Sequence, residues 1–218
     1  MPPARAAETS AETSTSTETW EGFEGGDLIF IETSDPVGPV LERATGSRFT
    51  HVGIVRRTGG GFAVIEAAPD GVYEIMLEPF LERAIGGNYA VYRYPGLWNG
   101  DWYHPAVLEA NAYLGYPPDP HFRLDPSAFY GSELVYDSYK AAGVALGKLE
   151  RIGDLDFDTQ EGRALLLSGW AEHPDCKARH LDEAACWSLI MDQKIVTPAS
   201  IARDPRLDMV FSTFPPPE

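Results

Sequence analysis

Cysteine is nearly absent: the chain has two in 218 residues, Cys176 and Cys186. A pair so close in the chain suits one small structural disulfide in an oxidising compartment, or two buried thiols in the cytosol. Both alternatives stay open at this point. "HPDCKARHLDEAAC" also gathers His173, Cys176, His180 and Cys186, but their spacing is a weak zinc pattern. No metal and no cofactor is expected. Basic residues are scarce as well, 17 Lys and Arg against 33 Asp and Glu, for a formal charge of −16. Nucleic acid and anionic lipid are held by cations that neutralise phosphates, so this balance argues against both as partners. Long apolar runs are missing too: none approaches the roughly 18 residues of a membrane span. The N-terminus has no charged start followed by an apolar core, so no signal peptide is read there.

What is present is an ordinary globular composition, 44% hydrophobic and 23% charged, long enough for one well-filled domain. Residues 1–22 are rich in Ala, Ser, Thr and Glu without apolar periodicity, and are read as a disordered tether. Such tethers follow removed export signals, which sets the bacterial periplasm or cell envelope against the cytoplasm as the alternative. Residues 23–218 are read as a single domain. Within it "GDLIFIET" is a β-rich run, "GPVLERATG" a short helix ended by Gly46, and "HVGIVRR" with "GFAVIEAA" a hairpin across "TGG". "LEPFLERAIGG" reads as helix and "NYAVYRY" as strand, and "HPAVLEANAYLG" as a helix closing at Gly115. A proline-broken loop then leads into "SAFYGSELVYDSYKAAG", where Leu134, Val135, Tyr139 and Ala142 repeat at helical spacing. Beyond it the pattern weakens until "TPASIARDP", a capped turn or two. The order predicts an α+β fold, a short antiparallel sheet packed with helices.

Two polar residues interrupt the hairpin strands, His51 and Glu66. With a two-residue loop in which Arg57 pairs with Gly60, they lie directly opposite on one face; a four-residue loop makes them diagonal neighbours on that face. A carboxylate beside an imidazole fixes its tautomer and stabilises its protonated form, as a general base requires. Glu74 and His104 are read as surface residues. Trp98, Trp102 and Tyr103 in "GLWNGDWYHP" are read as core or rim, with a pocket wall as the alternative.

The ordered set "GDLIF", "THVGIV", "VIEAAPDGV", "FLER", "VYRY", "GSELVYDSYKAAG" and "VTPASIA" resembles the YiiX-like proteins, circularly permuted papain-like hydrolases of the NlpC cell-wall peptidase superfamily. The resemblance implies a permuted papain-like fold in which the histidine precedes the nucleophile. It matches His51 to that histidine, Glu66 to the carboxylate, and Gly131 to the position of the nucleophilic cysteine. The family's "Y-C-S-E-L-V" therefore reads "YGSELV" here. A thiolate at a helix N-terminus gains from exposed N–H groups and the macrodipole, and those N–H groups can hold an oxyanion. Glycine has no sulfur, so covalent catalysis cannot occur at that position.

Gly131 is then either an inactivating replacement or the mark of a natural pseudoenzyme. The implied function is a cysteine amidase or peptidase scaffold acting on amide bonds of peptidoglycan stem peptides or small peptides, inactive as written. A lipid, acyl-ester or thioester hydrolase or acyltransferase is one alternative, and a non-catalytic peptide or muropeptide-binding module is the other. Tyr130, Ser132 and Trp102 are the candidate substrate contacts. Gly26 and Asp27 match the family motif in a structural role. Pro118 stands where the family often has tyrosine, which leaves that loop's part in substrate contact open.

Overall fold

Valine, isoleucine and aromatic residues crowd the first half of the chain, and they build the sheet on which everything else rests. The structure is a computed structural model describing residues 22–97 and 103–215. The tether assigned to residues 1–22 falls outside them except for Gly22, and Trp98 and Trp102 fall outside them too. In chain order the elements are β1 (Leu28–Ile31), α1 (Gly38–Thr45), β2 (His51–Thr58), β3 (Gly61–Ala68), β4 (Gly71–Met76), α2 (Leu77–Leu81), β5 (Tyr89–Arg93) and α3 (Pro105–Ala112). Then follow α4 (Gly131–Ala141), β6 (Glu150–Arg151), α5 (Gln160–Leu166), α6 (Pro174–Ala178), α7 (Glu183–Asp192), β7 (Lys194–Ile195), α8 (Pro198–Ala202) and β8 (Asp208–Ser212).

Six strands form one antiparallel sheet in the order β4-β3-β2-β1-β5-β8, and β6 pairs with β7 separately. Central β1 is buried at all four positions, which is why "LIFI" shows no polar alternation. Leu28 and Phe30 face a core shared with Leu134, Tyr139 and Ile201, while Ile29 and Ile31 face a second core with Leu77, Phe80 and Val91. At roughly 25 cal/mol per Å2 of apolar area, burying each such side chain contributes about 1.5–3 kcal/mol. The expected antiparallel sheet with packed helices is therefore present. The elements beyond α4 that sequence periodicity missed are short, the longest of them the ten-residue α7.

Two details fix the frame of the site. Asp27, buried, accepts two hydrogen bonds from Arg93, Nε to Oδ1 at 2.7 Å and Nη2 to Oδ2 at 2.8 Å, tying the entry of β1 to the end of β5. Gly26 has φ +92°, and a Cβ there would meet the His104 ring at 2.3 Å. His104 is accordingly buried, 4% exposed, which corrects its assignment to the surface. It caps α3 by accepting from Ala106 N, and burial pushes its imidazole down to about 4. Glu74 does sit toward solvent, paired with Arg56.

Candidate active site

The hairpin turn decides where the imidazole points. Thr58 pairs with Gly61, and the positive backbone angle falls on Gly61 (φ +142°), so Gly59 and Gly60 make the turn. The register is displaced by two residues from the Arg57–Gly60 pairing, running through Ile54 opposite Ile65. Glu66 therefore lies diagonally from His51 on the same face, and the two side chains close the gap: His51 Nε2 to Glu66 Oε2 is 2.5 Å. Ile31 of β1 pairs with His51, so the imidazole stands at the very start of β2, at the end of the sheet.

Glu66 is completely buried and shared. Arg83, just past α2, donates from Nη2 to Glu66 Oε1 at 2.7 Å and to Oε2 at 2.6 Å. Burial pushes the Glu66 carboxyl up, but the hydrogen bonds and charges of His51 and Arg83 outweigh it and hold the group below its ordinary value. An ionised carboxylate only accepts, so the proton of the neutral imidazole lies on Nε2. The lone pair on Nδ1 is left facing the other way. Arg83 is a residue of the site that the sequence pattern did not single out; "FLER" entered only as a matching motif.

What Nδ1 faces is the first turn of α4. A Cβ built on Gly131 would lie 3.2 Å from His51 Nδ1 and Cε1 and 3.4 Å from the Ala67 carbonyl oxygen. Tyr130 is the N-cap and Gly131 the first helical residue, outside the positive-φ glycines, so the backbone does not require glycine there. A Cβ would need the imidazole to give by a few tenths of an ångström. The first N–H groups of any helix lack intrahelical partners and carry the positive end of the dipole. Behind them buried Glu133 folds back, accepting from Asp125 N at 3.0 Å and Tyr130 N at 3.4 Å. Burial pushes its carboxyl up to about 9, so it stands neutral beside the helix start.

His51 and Gly131 open onto a cavity of about 720 Å3. Its walls are mostly apolar: Val37 and Leu41 on one side, Ala67, Ala68 and Pro69 on the sheet, Pro118, Pro120, Phe122 and Phe129 on the loop, and Leu165. Arg83, Glu82, Asp35 and Asp119 supply charge at its edge. Tyr130 and Ser132 also line it, but their hydroxyls are engaged elsewhere. Tyr130 Oη accepts from Val196 N at 3.1 Å, and Ser132 Oγ donates to Val196 O at 2.8 Å. Tyr103 is largely exposed, as a rim residue would be. The departure at Pro118 does not remove the loop from the site, since Pro118 bridges to Phe129 and lines the cavity.

Cys176 and Cys186 form a disulfide, so neither is a free thiol and neither can hold zinc as a thiolate. Of the other two residues in that pattern, His173 is fully buried and His180 exposed.

With that geometry in place, the comparisons are direct. Residues 23–211 match the family described as permuted papain-like amidase enzyme, YaeF/YiiX, C92 family. The chain belongs to this family. A solved structure described as the metalloprotein yiiX from Escherichia coli O157:H7 is similar to this permuted papain-like amidase fold, with a TM-score of 0.74 at 23% identity, covering 88% of this chain and 98% of the other. No curated protein matches. Among the described residues no group of three or more His, Cys, Asp or Glu is placed to hold a metal ion. No helix among them is long and apolar enough to cross a membrane.

Proposed function

We propose that this amidase-family chain is an acyl-binding site whose residue 131 has lost the attacking thiol. One observation carries the proposal: Nδ1 of a carboxylate-held imidazole lies 3.2 Å from the point where a side chain would begin at Gly131. In a thiol-bearing form the sulfur would attack an amide carbonyl, His51 would take and return the proton, Glu66 would orient His51, and N–H groups of α4 would hold the oxyanion. With glycine the same groups bind an amide substrate without forming a covalent intermediate.

The cavity supports a substrate whose acyl side is apolar, with the scissile carbonyl at α4. A short peptide with apolar side chains fits that description and remains the leading class, including cell-wall peptides. The apolar walls favour a lipid acyl amide or ester as the second reading. The Cys176–Cys186 disulfide supports an oxidising compartment such as the cell envelope.

Gly131→Cys is the test. Assayed on cell-wall peptides, simple peptides and N-acyl amides, it should gain amidase activity of about 10³-fold or more over the glycine form. A folded Gly131→Cys protein that neither turns over nor is acylated by any of them refutes the proposal. Preference among the three substrates separates the two readings.

A further inference from the structure

Removing a side chain at residue 131 does not remove the base that served it. His51 Nδ1 and the Ala67 carbonyl oxygen still border the position, 3.2 and 3.4 Å from where a Cβ would stand. Both can accept a hydrogen bond. A small molecule bearing two O–H bonds, held farther out than a Cβ and so clear of the Gly131 backbone, can donate one to each and turn its own lone pairs toward the cavity. Water is that molecule, and solvent supplies it. Glu66 and Arg83 keep the imidazole oriented whether or not a thiol is present, because their hydrogen bonds do not involve residue 131.

We propose that the chain as it stands is a hydrolase of labile acyl esters, with water taking the place of the cysteine sulfur and His51 as its general base. The inference rests on the functional reading above and adds an activity to it. Water gives one proton to His51 Nδ1 while its oxygen bonds to the acyl carbonyl carbon. The carbonyl π pair moves onto oxygen, and the resulting oxyanion faces the N–H groups at the start of α4. Collapse of the tetrahedral intermediate re-forms the carbonyl and breaks the bond to the leaving alkoxide, which takes the proton back from His51. The products are one carboxylic acid and one alcohol, with no redox change and no acyl-enzyme. Esters with good leaving groups are the expected class, because water is a weaker nucleophile than a thiolate and amides leave poorly.

The probe is p-nitrophenyl hexanoate, an activated ester with an apolar acyl chain, followed with the full chain over many turnovers. His51→Gln keeps a polar side chain at a partly exposed position and should lower the rate by about tenfold or more, as expected for loss of a positioned base. Gly131→Val fills the space in front of Nδ1 and should lower it to the same level. Intact-mass spectra taken during turnover should show no hexanoylated protein. Thermal unfolding of each variant separates loss of the base from loss of the fold, and Glu66→Gln, which should also lower the rate, gives a second lesion in the same chain of contacts. A rate unchanged in His51→Gln, or turnover through an acylated side chain, overturns the inference. Hexanoylation of Gly131→Cys at residue 131 alongside His51-independent hydrolysis by the glycine form would overturn the water route while leaving the functional reading standing.

Discussion

At the residue scale the decisive contact is Glu66, one buried carboxylate answering to an imidazole and a guanidinium at once. Folding lowers its pKa, so the stability and order it contributes are present above its unfolded value and are lost as pH falls through the folded one. Arg83 is part of the reason for that depression. Arg83→Met should therefore raise the carboxyl's pKa, and the acid limb of acylation in the Gly131→Cys background should move to higher pH. A structural role alone would change the rate without moving the limb. The His51–Glu66 pair was legible in the sequence because alternation along a strand limits which polar residues share a face. Its register was not, since that hung on which glycine of "TGGG" took the unusual backbone angle. Arg83 was not legible either: it lies 17 residues from Glu66 and reaches it only because the chain after α2 folds back across β3.

At the scale of the element, α4 is the part most completely specified by its own sequence. Its apolar spacing and its "YGSELV" start appear as expected, with Tyr130 as the N-cap, and the helix Gly131–Ala141 closes into Ala142 and Gly143. What the sequence hid is that Glu133 stands neutral. Its pKa is raised to about 9 in the folded protein, so the folded state holds a proton that the unfolded chain gives up. That contribution is complete below the unfolded value, and is lost as pH rises toward 9, at up to about 1.4 kcal/mol per pH unit. Denaturant unfolding between pH 5 and 9 should show stability declining, and Glu133→Gln should flatten the slope. An unchanged slope would mean that the carboxyl is ionised at the helix start. After α4 only α8 was signalled, by its Thr-Pro start; α5 and α6 have seven and five residues, too few to display a period.

At the scale of the whole molecule, the disulfide joins α6 to α7 in the region where local signals are weakest. Closing a loop with a sequence separation of 10 should contribute about 2–3 kcal/mol through the unfolded chain. Replacing both cysteines by alanine should lower the melting temperature by about 5–10 °C. The hairpin geometry around His51 should be untouched, which a Gly131→Cys acylation assay in that background would report. The fold class followed from strand and helix patterns in the first half of the chain, and the site from their meeting point. Between β6 and β7 no apolar period is long enough to mark an element, and that stretch is closed by the disulfide and the β6–β7 pair.

Helix α4 is fastened at both extremities. Tyr130 and Ser132 hold its front to Val196, and the Tyr139 hydroxyl donates to the Gly26 carbonyl near its rear. The sheet side of the cleft is equally anchored by the β2–β3 ladder. Among the described residues around the cavity, the proline-bearing stretch between α3 and α4 and residues 32–37 ahead of α1 are free of regular ladder or helix bonding along most of their length. Adjustment to a thicker or thinner guest therefore falls to those two loops. The β2–β3 ladder and α4 form the fixed anvil, and the ladder carries the base.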